Sequence, residues 1–154
     1  MSEWYFAYGS NLWLDQMIER CGPIPQGAER PRLARLPNYQ LLFNMQGEDG
    51  QAFANVMCPG KGVLGVIYSF SPEALVKLDA FERGYKRGPV RVVLENGSEL
   101  NAVTYFAEAA HVACYGLKPR ADYLQKILRG ARQHGFPEKF IREIETIANE
   151  ERET

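Results

Sequence analysis

Near its amino terminus the chain reads Tyr5-Phe6-Ala7-Tyr8-Gly9-Ser10-Asn11-Leu12. The first four of these residues are aromatic or apolar, a composition typical of a buried strand. Gly9 tolerates a positive φ, and Ser10 and Asn11 favour helix starts, so we expect a tight turn here. A strand, a turn and a helix start leave backbone N–H groups unpaired, which suits a negative or polarised oxygen. The simpler interpretation of the same residues is an ordinary strand-to-helix turn with Ser10 or Asn11 as its cap.

The rest of the chain predicts an α+β fold. Residues 12–21 form an amphipathic helical pattern, and three further helices are expected from Ser71-Pro72 to Gly84, from Pro119 to Gly135, and from Pro137 onward. Strands are expected at 39–43, 53–57 and 63–70, with a hairpin of 90–95 and 99–107. Because strands and helices do not alternate strictly, we expect a mixed, largely antiparallel sheet closing into a small β-barrel, with the helices packed outside.

Composition limits the possible classes of protein. The chain has 154 residues, is 45% hydrophobic and carries a net charge of −1, so we expect a single domain over 1–148 with a charged tail at 149–154. No basic stripe indicates nucleic acid, and no apolar run reaches the roughly 18 residues of a membrane span. Three cysteines without paired spacing are typical of reduced thiols. With no signal-peptide pattern, these features predict a soluble, cytoplasmic protein.

Several motifs could indicate a cofactor, a metal or an enzyme nucleophile, but each lacks the neighbouring sequence that such a site requires. Residues 60–65 match G-x-G-x-x-G, but they precede a predicted strand instead of following one. Ser10 does not stand in G-x-S-x-G, so it is not predicted to be a hydrolase nucleophile. The two histidines, His111 and His134, lack metal-ligand spacing to Cys, Asp or Glu. We therefore expect no cofactor and no metal.

A pair of carboxylates near the end of the second predicted helix is the best candidate for proton transfer. Asp79 and Glu82 are three residues apart and hence close on one helix face. The negative helix end, Asp79 and the rings of Phe81 and Tyr85 should raise the pKa of Glu82, which would suit a general base and acid. Three basic residues should act in the opposite direction: Arg83, Lys86 and Arg87. The alternative is a solvated carboxylate paired with one of these bases.

Taken together, these pieces resemble the γ-glutamylcyclotransferases, in the γ-glutamylcyclotransferase-like (AIG2-like) superfamily, over nearly the whole chain to about residue 148. The opening of the family is similar to residues 5–12, and its strand-plus-helix block is similar to Gly65–Tyr68 followed by Leu75–Leu78-Asp79 and Glu82. Other matching segments are Ala34-Arg35-Leu36, Ala54-Asn55-Val56, Tyr123, Gly130-Ala131 and His134-Gly135-Phe136-Pro137. The chain departs from the family where Arg83 directly follows the glutamate and Gly84 comes second.

The resemblance implies a cofactor-free enzyme that converts a γ-glutamyl amide to 5-oxoproline and releases an amino acid or amine. It implies that Glu82 is the catalytic base and acid. It also implies that the γ-glutamyl group is bound by Tyr8, Gly9, Ser10, Asn11, Leu12 and Tyr123. Two alternatives stay open: removal of a γ-glutamyl group from an amine or a carrier-bound intermediate, and a ligand-binding domain without turnover. The expected partner is a small γ-glutamyl substrate, with neither nucleic acid nor membrane, and a homodimer is plausible.

Overall fold

The computed structural model describes residues 2–150, within which the chain forms seven β-strands and four α-helices. The strands are β1 (Glu3–Ala7), β2 (Arg32–Leu36), β3 (Gln40–Gln46), β4 (Ala52–Met57), β5 (Val63–Phe70), β6 (Tyr85–Leu94) and β7 (Glu99–Ala107). The helices are α1 (Leu14–Cys21), α2 (Pro72–Asp79), α3 (Ala121–Gln133) and α4 (Glu138–Asn149). Short 3-10 turns lie at Ser10–Leu12, Gly27–Glu29 and Ala109–His111.

Five of the strands close into a barrel in the order β1-β5-β2-β6-β7, while β3 and β4 form a separate two-stranded sheet. Neighbouring barrel strands are antiparallel except at the closure, where β1 runs parallel to β7 and Tyr5 lies opposite Val103. The structure therefore confirms the predicted α+β fold with a mixed sheet and a small barrel.

β1 and β5 are the central pair of the core, as their apolar composition predicts. Residues 5–8 and 65–70 are buried throughout, so both faces of these strands pack against protein. Gly65 lets the two strands approach closely, because a Cβ atom there would lie 2.3 Å from the Ala7 carbonyl oxygen. This close crossing fixes the end of β1, where the chain enters the Gly9–Asn11 turn.

Several elements differ from the sequence prediction, and one of them is β6, which begins at Tyr85 and not at residue 90. β2 was not predicted, because its five residues lie between Pro31 and Pro37 and alternate only briefly between buried and exposed positions. The predicted helix over 12–21 is divided, since a 3-10 turn at Ser10–Leu12 precedes α1. The helix predicted to run up to Gly84 ends at Asp79, so Glu82 lies beyond it in a tight turn in which its N–H donates to the Asp79 carbonyl at 3.1 Å.

At the other end of the chain, α4 continues to Asn149, and most of the tail predicted at 149–154 falls outside the described residues. Within residues 2–150, no helix has both the length and the apolar character needed to span a membrane.

Candidate active site

A pocket lies where β1 ends and the chain turns out of the barrel. Ten residues line it: Tyr5, Tyr8, Gly9, Ser10, Asn11, Ala54, Glu82, Tyr85, Tyr105 and Tyr123. All but one of the predicted site residues are therefore brought together here. The exception is Leu12, which is fully buried and does not line the pocket. Glu82 and the Gly9–Asn11 turn, distant in sequence, face the same space.

Two residues of the 3-10 turn that line this pocket have unpaired backbone N–H groups. The hydrogen bonds of the turn run from the Leu12 N–H to the Gly9 carbonyl and from the Trp13 N–H to the Ser10 carbonyl, both at 3.0 Å. Ser10 and Asn11 begin the turn, and no acceptor among residues 2–150 is found for their N–H groups. These amides are free to bind an oxygen of a ligand.

Gly9 has a different role from the one expected, because its φ is −115° and not positive. A Cβ atom at this position would lie 3.3 Å from both the Ala54 Cβ and the Tyr123 hydroxyl oxygen. The glycine therefore favours close approach of the turn to β4 and α3, and it does not serve a left-handed backbone conformation.

Asn11 links the turn to Glu82 through its side chain. Its Nδ2 donates to Glu82 Oε1 at 2.6 Å and to the Tyr5 hydroxyl at 2.9 Å, which uses both amide hydrogens. Its Oδ1 accepts from Gln16 Nε2 at 2.9 Å and from Arg20 Nη1 at 3.0 Å. With all four positions occupied, the buried amide has one orientation. Neither Asn11 nor Ser10 caps α1, whose preceding residue is Trp13.

Glu82 is largely buried, and its side chain is only 15% exposed. Burial is the main reason that its pKa is raised above the usual value, and the charge of Asp79 adds to the increase. Arg20 acts in the opposite direction from a distance of 3.6 Å, as does the hydrogen bond from Asn11. A carboxyl group in this setting can exchange a proton at a higher pH than a solvated glutamate can.

The source of the opposing positive charge differs from the prediction. Arg87 forms an ion pair with Asp79, its Nε lying 3.1 Å from Asp79 Oδ1, and so is not the partner of Glu82. Arg83 and Lys86 are exposed and form no ion pair within residues 2–150. The cation at Glu82 is Arg20, from α1, which lies over the ring of Phe81 at 4.9 Å.

Five of the ten residues that line the pocket are tyrosines, and burial raises their pKa values, so they stay protonated. Tyr8 donates to the Tyr105 carbonyl and Tyr85 to the Ala54 carbonyl, each at 2.6 Å. The Tyr123 hydroxyl accepts from the Ala54 N–H at 3.0 Å, and for its own hydrogen no acceptor is found among residues 2–150. Tyr123 therefore retains a donor for a ligand.

The space between the tyrosines is small, about 30 Å³, and it opens into a wider depression of about 810 Å³. Ser10, Glu82, Tyr85 and Tyr123 line both spaces. The depression is further lined by charged residues at its rim: Arg20, Glu48, Asp49, Arg83 and Lys126. Only a small group fits beside Glu82 and the turn, and the remainder of a ligand would lie in the depression.

In this chain the glycine that follows Glu82 comes second, after Arg83, and the turn formed by residues 82–85 accommodates it there. The Tyr85 N–H donates to the Glu82 carbonyl at 3.2 Å, and Gly84, with a φ of +84°, occupies the third position of this turn. A type II turn requires a positive φ there, which Gly84 supplies. Arg83 lies at the second position and is exposed at the rim.

Sequence reasoning placed Tyr85 beside Glu82, but it gave no site role to five other residues: Tyr5, Gln16, Arg20, Ala54 and Tyr105. A partial signal exists for two of them, because Gln16 and Arg20 are four apart and therefore share one face of α1. No comparable signal exists for Tyr105, which meets the pocket only after β6 and β7 close the barrel. Among residues 2–150, no group of three or more His, Cys, Asp or Glu could hold a metal ion.

The chain is similar in sequence and in fold to several known proteins. Residues 62–144 match the model of the AIG2-like family. A mouse γ-glutamylcyclotransferase is 28% identical, over 93% of this chain and 77% of its own length. A solved γ-glutamyl cyclotransferase structure superposes with a TM-score of 0.81 at 25% identity, covering 96% of this chain and 88% of that one. A yeast γ-glutamyl cyclotransferase described as specific to glutathione shares the fold, with a TM-score of 0.65 and 13% identity over 96% of each chain.

Proposed function

This chain belongs to the AIG2-like family, and we propose that it is a γ-glutamylcyclotransferase. In the proposed reaction a γ-glutamyl amino acid or peptide yields 5-oxoproline and a free amino acid or peptide. The observation that carries the proposal is the shared pocket, which is lined by Glu82 and by Ser10 and Asn11, the two residues of the turn with unpaired amides.

The chemistry needs few groups from the protein. The α-amine of the γ-glutamyl group attacks its own γ-carbonyl carbon, forming a carbon–nitrogen bond and closing a five-membered ring. The bond from that carbon to the leaving nitrogen then breaks. Since nucleophile and electrophile are already in one molecule, the pocket has to hold the folded-back conformer, and no enzyme nucleophile is required.

Glu82 accounts for both proton transfers. As a carboxylate it accepts a proton from the attacking nitrogen, and as a carboxylic acid it returns a proton to the leaving nitrogen. One group can perform both steps when its pKa lies closer to neutrality than that of a solvated carboxyl, and burial raises the pKa of Glu82 in that direction. The short hydrogen bond from Asn11 fixes the position of Oε1.

The turn amides account for stabilisation of the oxyanion. When the amine attacks, negative charge develops on the γ-carbonyl oxygen, and the N–H groups of Ser10 and Asn11 are suited to receive it. Removing one such donor in other enzymes costs about 2.7–4 kcal/mol in the transition state. The free Tyr123 hydroxyl hydrogen is a further donor for the bound γ-glutamyl group.

Two cations of the depression, Arg83 and Lys126, could bind a leaving group with a carboxylate. Arg20, Arg83 and Lys126 line the depression, whereas Glu48 and Asp49 supply negative charge from one loop. Arg83 and Lys126 have no ion-pair partner within residues 2–150, so both can bind an anion. An amino acid or peptide carries such an anion, and a simple amine does not.

A matched pair of substrates tests the choice of leaving group. γ-Glutamyl-alanine and γ-glutamyl-ethylamide differ only in the carboxylate of the leaving group. We expect 5-oxoproline release with a higher kcat/KM for γ-glutamyl-alanine. Equal values, or a preference for the ethylamide, would favour the alternative in which a γ-glutamyl group is removed from an amine.

The Glu82→Gln variant tests the mechanism. We expect its kcat to fall at least about 10²-fold, because general acid–base catalysis by a positioned group contributes about 10²–10⁴. Binding of 5-oxoproline, followed by calorimetry, should persist, and Glu95→Gln, at an exposed hairpin position, should leave turnover unchanged. Near-wild-type turnover by Glu82→Gln would rule out the role of Glu82 as base and acid. If the wild type turned over no γ-glutamyl compound, the alternative of a ligand-binding domain without turnover would be favoured.

A further inference from the structure

We propose that Tyr68 and His134 are positioning residues for the reaction, which hold the backbone carbonyls of Asn11 and Leu12 and thereby aim the free amides of the turn at the substrate. The proposal rests on the function proposed above, since it assigns a use to the same amides. Neither residue lines the pocket, and both act from behind the turn.

The contacts converge on one short backbone segment. The Tyr68 hydroxyl oxygen lies 3.0 Å from the Asn11 carbonyl oxygen and 3.1 Å from that of Leu12. His134 Nε2 lies 2.9 Å from the Leu12 carbonyl oxygen and 3.0 Å from the Tyr68 hydroxyl. Tyr68 comes from β5, where it is fully buried, and His134 directly follows α3. The turn is therefore held from two sides.

The numbers of donors and acceptors behind the turn determine which group donates each hydrogen bond. The two carbonyl groups can only accept, and among residues 2–150 no backbone N–H donates to either of them. Tyr68 has one hydroxyl hydrogen, and His134 must carry its hydrogen on Nε2, because an unprotonated Nε2 would face the Leu12 oxygen as a second acceptor. Two donors thus match two acceptors: Tyr68 donates to Asn11 and His134 to Leu12. Burial also lowers the pKa of His134, so its ring is neutral at pH 7.

The position of these carbonyls determines the direction of the amides. Peptide groups are planar, so fixing the Asn11 and Leu12 carbonyls fixes the planes at the end of the turn. The bonds from Leu12 N–H to Gly9 and from Trp13 N–H to Ser10 connect those planes to its beginning. The carbonyls of residues 9–12 and the Leu12 and Trp13 amides are then engaged, and the Ser10 and Asn11 amides are the groups of the turn backbone that stay free within residues 2–150. Preorganised donors of this kind stabilise an oxyanion without rearrangement during the reaction.

Substitutions of the two residues test the proposal through kinetics. In Tyr68→Phe and His134→Ala we expect kcat to fall roughly tenfold to a hundredfold with KM little changed, because misdirected amides weaken binding only of the charge that develops in the transition state. His134→Gln offers an amide hydrogen to the Leu12 carbonyl and should recover most of the loss. Tyr39→Phe, outside the pocket lining, is the control and should match the wild type.

A purely structural role would give a different result: a lower melting temperature, but unchanged kcat per folded molecule and no difference between His134→Gln and His134→Ala. That result would overturn the proposal. Tyr68 is fully buried, so its variant is the more demanding one for folding, and the half-buried His134 pair decides the question if Tyr68→Phe does not fold.

Failure of this positioning role can be distinguished from failure of the proposed cyclotransferase function. If the wild type releases no 5-oxoproline, that function is wrong, and hydrogen exchange of the Leu12 and Trp13 amides then tests the positioning alone. We expect faster exchange in His134→Ala than in the wild type and His134→Gln, because the turn loses a constraint. Equal exchange in all three proteins would contradict the proposal without reference to turnover.

Discussion

The ionisation of Glu82 depends on Arg20, a residue of α1 whose Nη1 atom lies 3.6 Å from Glu82 Oε1. The guanidinium lowers the pKa of Glu82 against the larger effect of burial, and it also donates to Asn11 Oδ1 at 3.0 Å. Arg20 thus stabilises the ionised form that a general base requires and holds the amide that contacts it.

The Arg20→Gln substitution should therefore raise the pKa of Glu82 further. Because the base acts only when ionised, we expect the acidic limb of the kcat/KM profile to move to higher pH, with the largest loss of activity below neutrality. Measuring 5-oxoproline release across the pH range tests this. Arg20→Lys keeps the charge and should keep the limb closer to its wild-type position. An acidic limb that is the same in Arg20→Gln and the wild type would contradict the assignment.

Tyr123 combines a structural hydrogen bond with a free donor, and its removal should affect both properties. In Tyr123→Phe the Ala54 N–H loses its acceptor, which should lower the free energy of unfolding by about 1–3 kcal/mol. The lost hydroxyl should also raise KM, since it is the proposed donor to the γ-glutamyl group. Urea unfolding and steady-state kinetics measure the two effects. The control is Tyr115→Phe, which removes a hydroxyl that makes no hydrogen bond within residues 2–150 and should change neither quantity. An unchanged KM in Tyr123→Phe would show that Tyr123 does not bind the substrate.

At the scale of the elements, the approach of α3 to the turn depends on Gly130. A Cβ atom at this position would lie 2.2 Å from the Leu12 carbonyl carbon and 2.4 Å from the Trp13 nitrogen. These are backbone atoms that cannot rotate aside, so the helix could accept a side chain only by moving away from the turn. Tyr123, two helical turns earlier on α3, would move with it.

Gly130→Ala should therefore destabilise the protein, although alanine is favoured over glycine inside a helix by about 1 kcal/mol. We expect a net loss of about 1–3 kcal/mol from overpacking, together with a lower kcat. Gly116→Ala is the matched control, because a Cβ atom there would meet nothing within 4 Å. Chemical denaturation and turnover assays on both variants test the prediction. A Gly130→Ala protein that is more stable than the wild type would show that the approach is not tight.

The elements were predictable from sequence to different degrees. β5 and the start of α2 were predicted correctly, because a long apolar run and a Ser-Pro helix start are local signals. β2 gave no such signal, since only Ala34 and Leu36 of its five residues are buried and its ladder partners come from β5 and β6. The end of α2 at Asp79 was missed because the chain continues in single turns through Glu82, with the local composition of a helix.

At the scale of the whole molecule, the barrel brings together residues that no local pattern connects. Asn11 and Glu82 are 71 positions apart, yet they form one of the shortest hydrogen bonds in the pocket. The sequence predicted Glu82 and the turn as separate candidates, and the family resemblance paired them. It did not predict Arg20, because the cation at Glu82 is determined by how α1 and α2 pack together. The distant partners of a site follow from closure of the fold, and short motifs do not contain them.

The buried carboxylate should also make the stability of the whole molecule depend on pH. The pKa of Glu82 is raised in the folded state, so folding favours its protonated form, and the wild type should lose stability as pH rises from the unfolded-state pKa through the folded-state pKa. A glutamine side chain cannot ionise, so the Glu82→Gln substitution should remove this loss. We expect the free energy of unfolding of Glu82→Gln relative to the wild type to increase as the pH rises above about 4, because glutamate in unfolded chains titrates near 4.3. Urea unfolding of both proteins at several pH values measures the difference, with the exposed Glu95→Gln as control. A difference that is constant or decreases with pH would show that burial does not dominate at Glu82, and the case for a base with a raised pKa would fail with it.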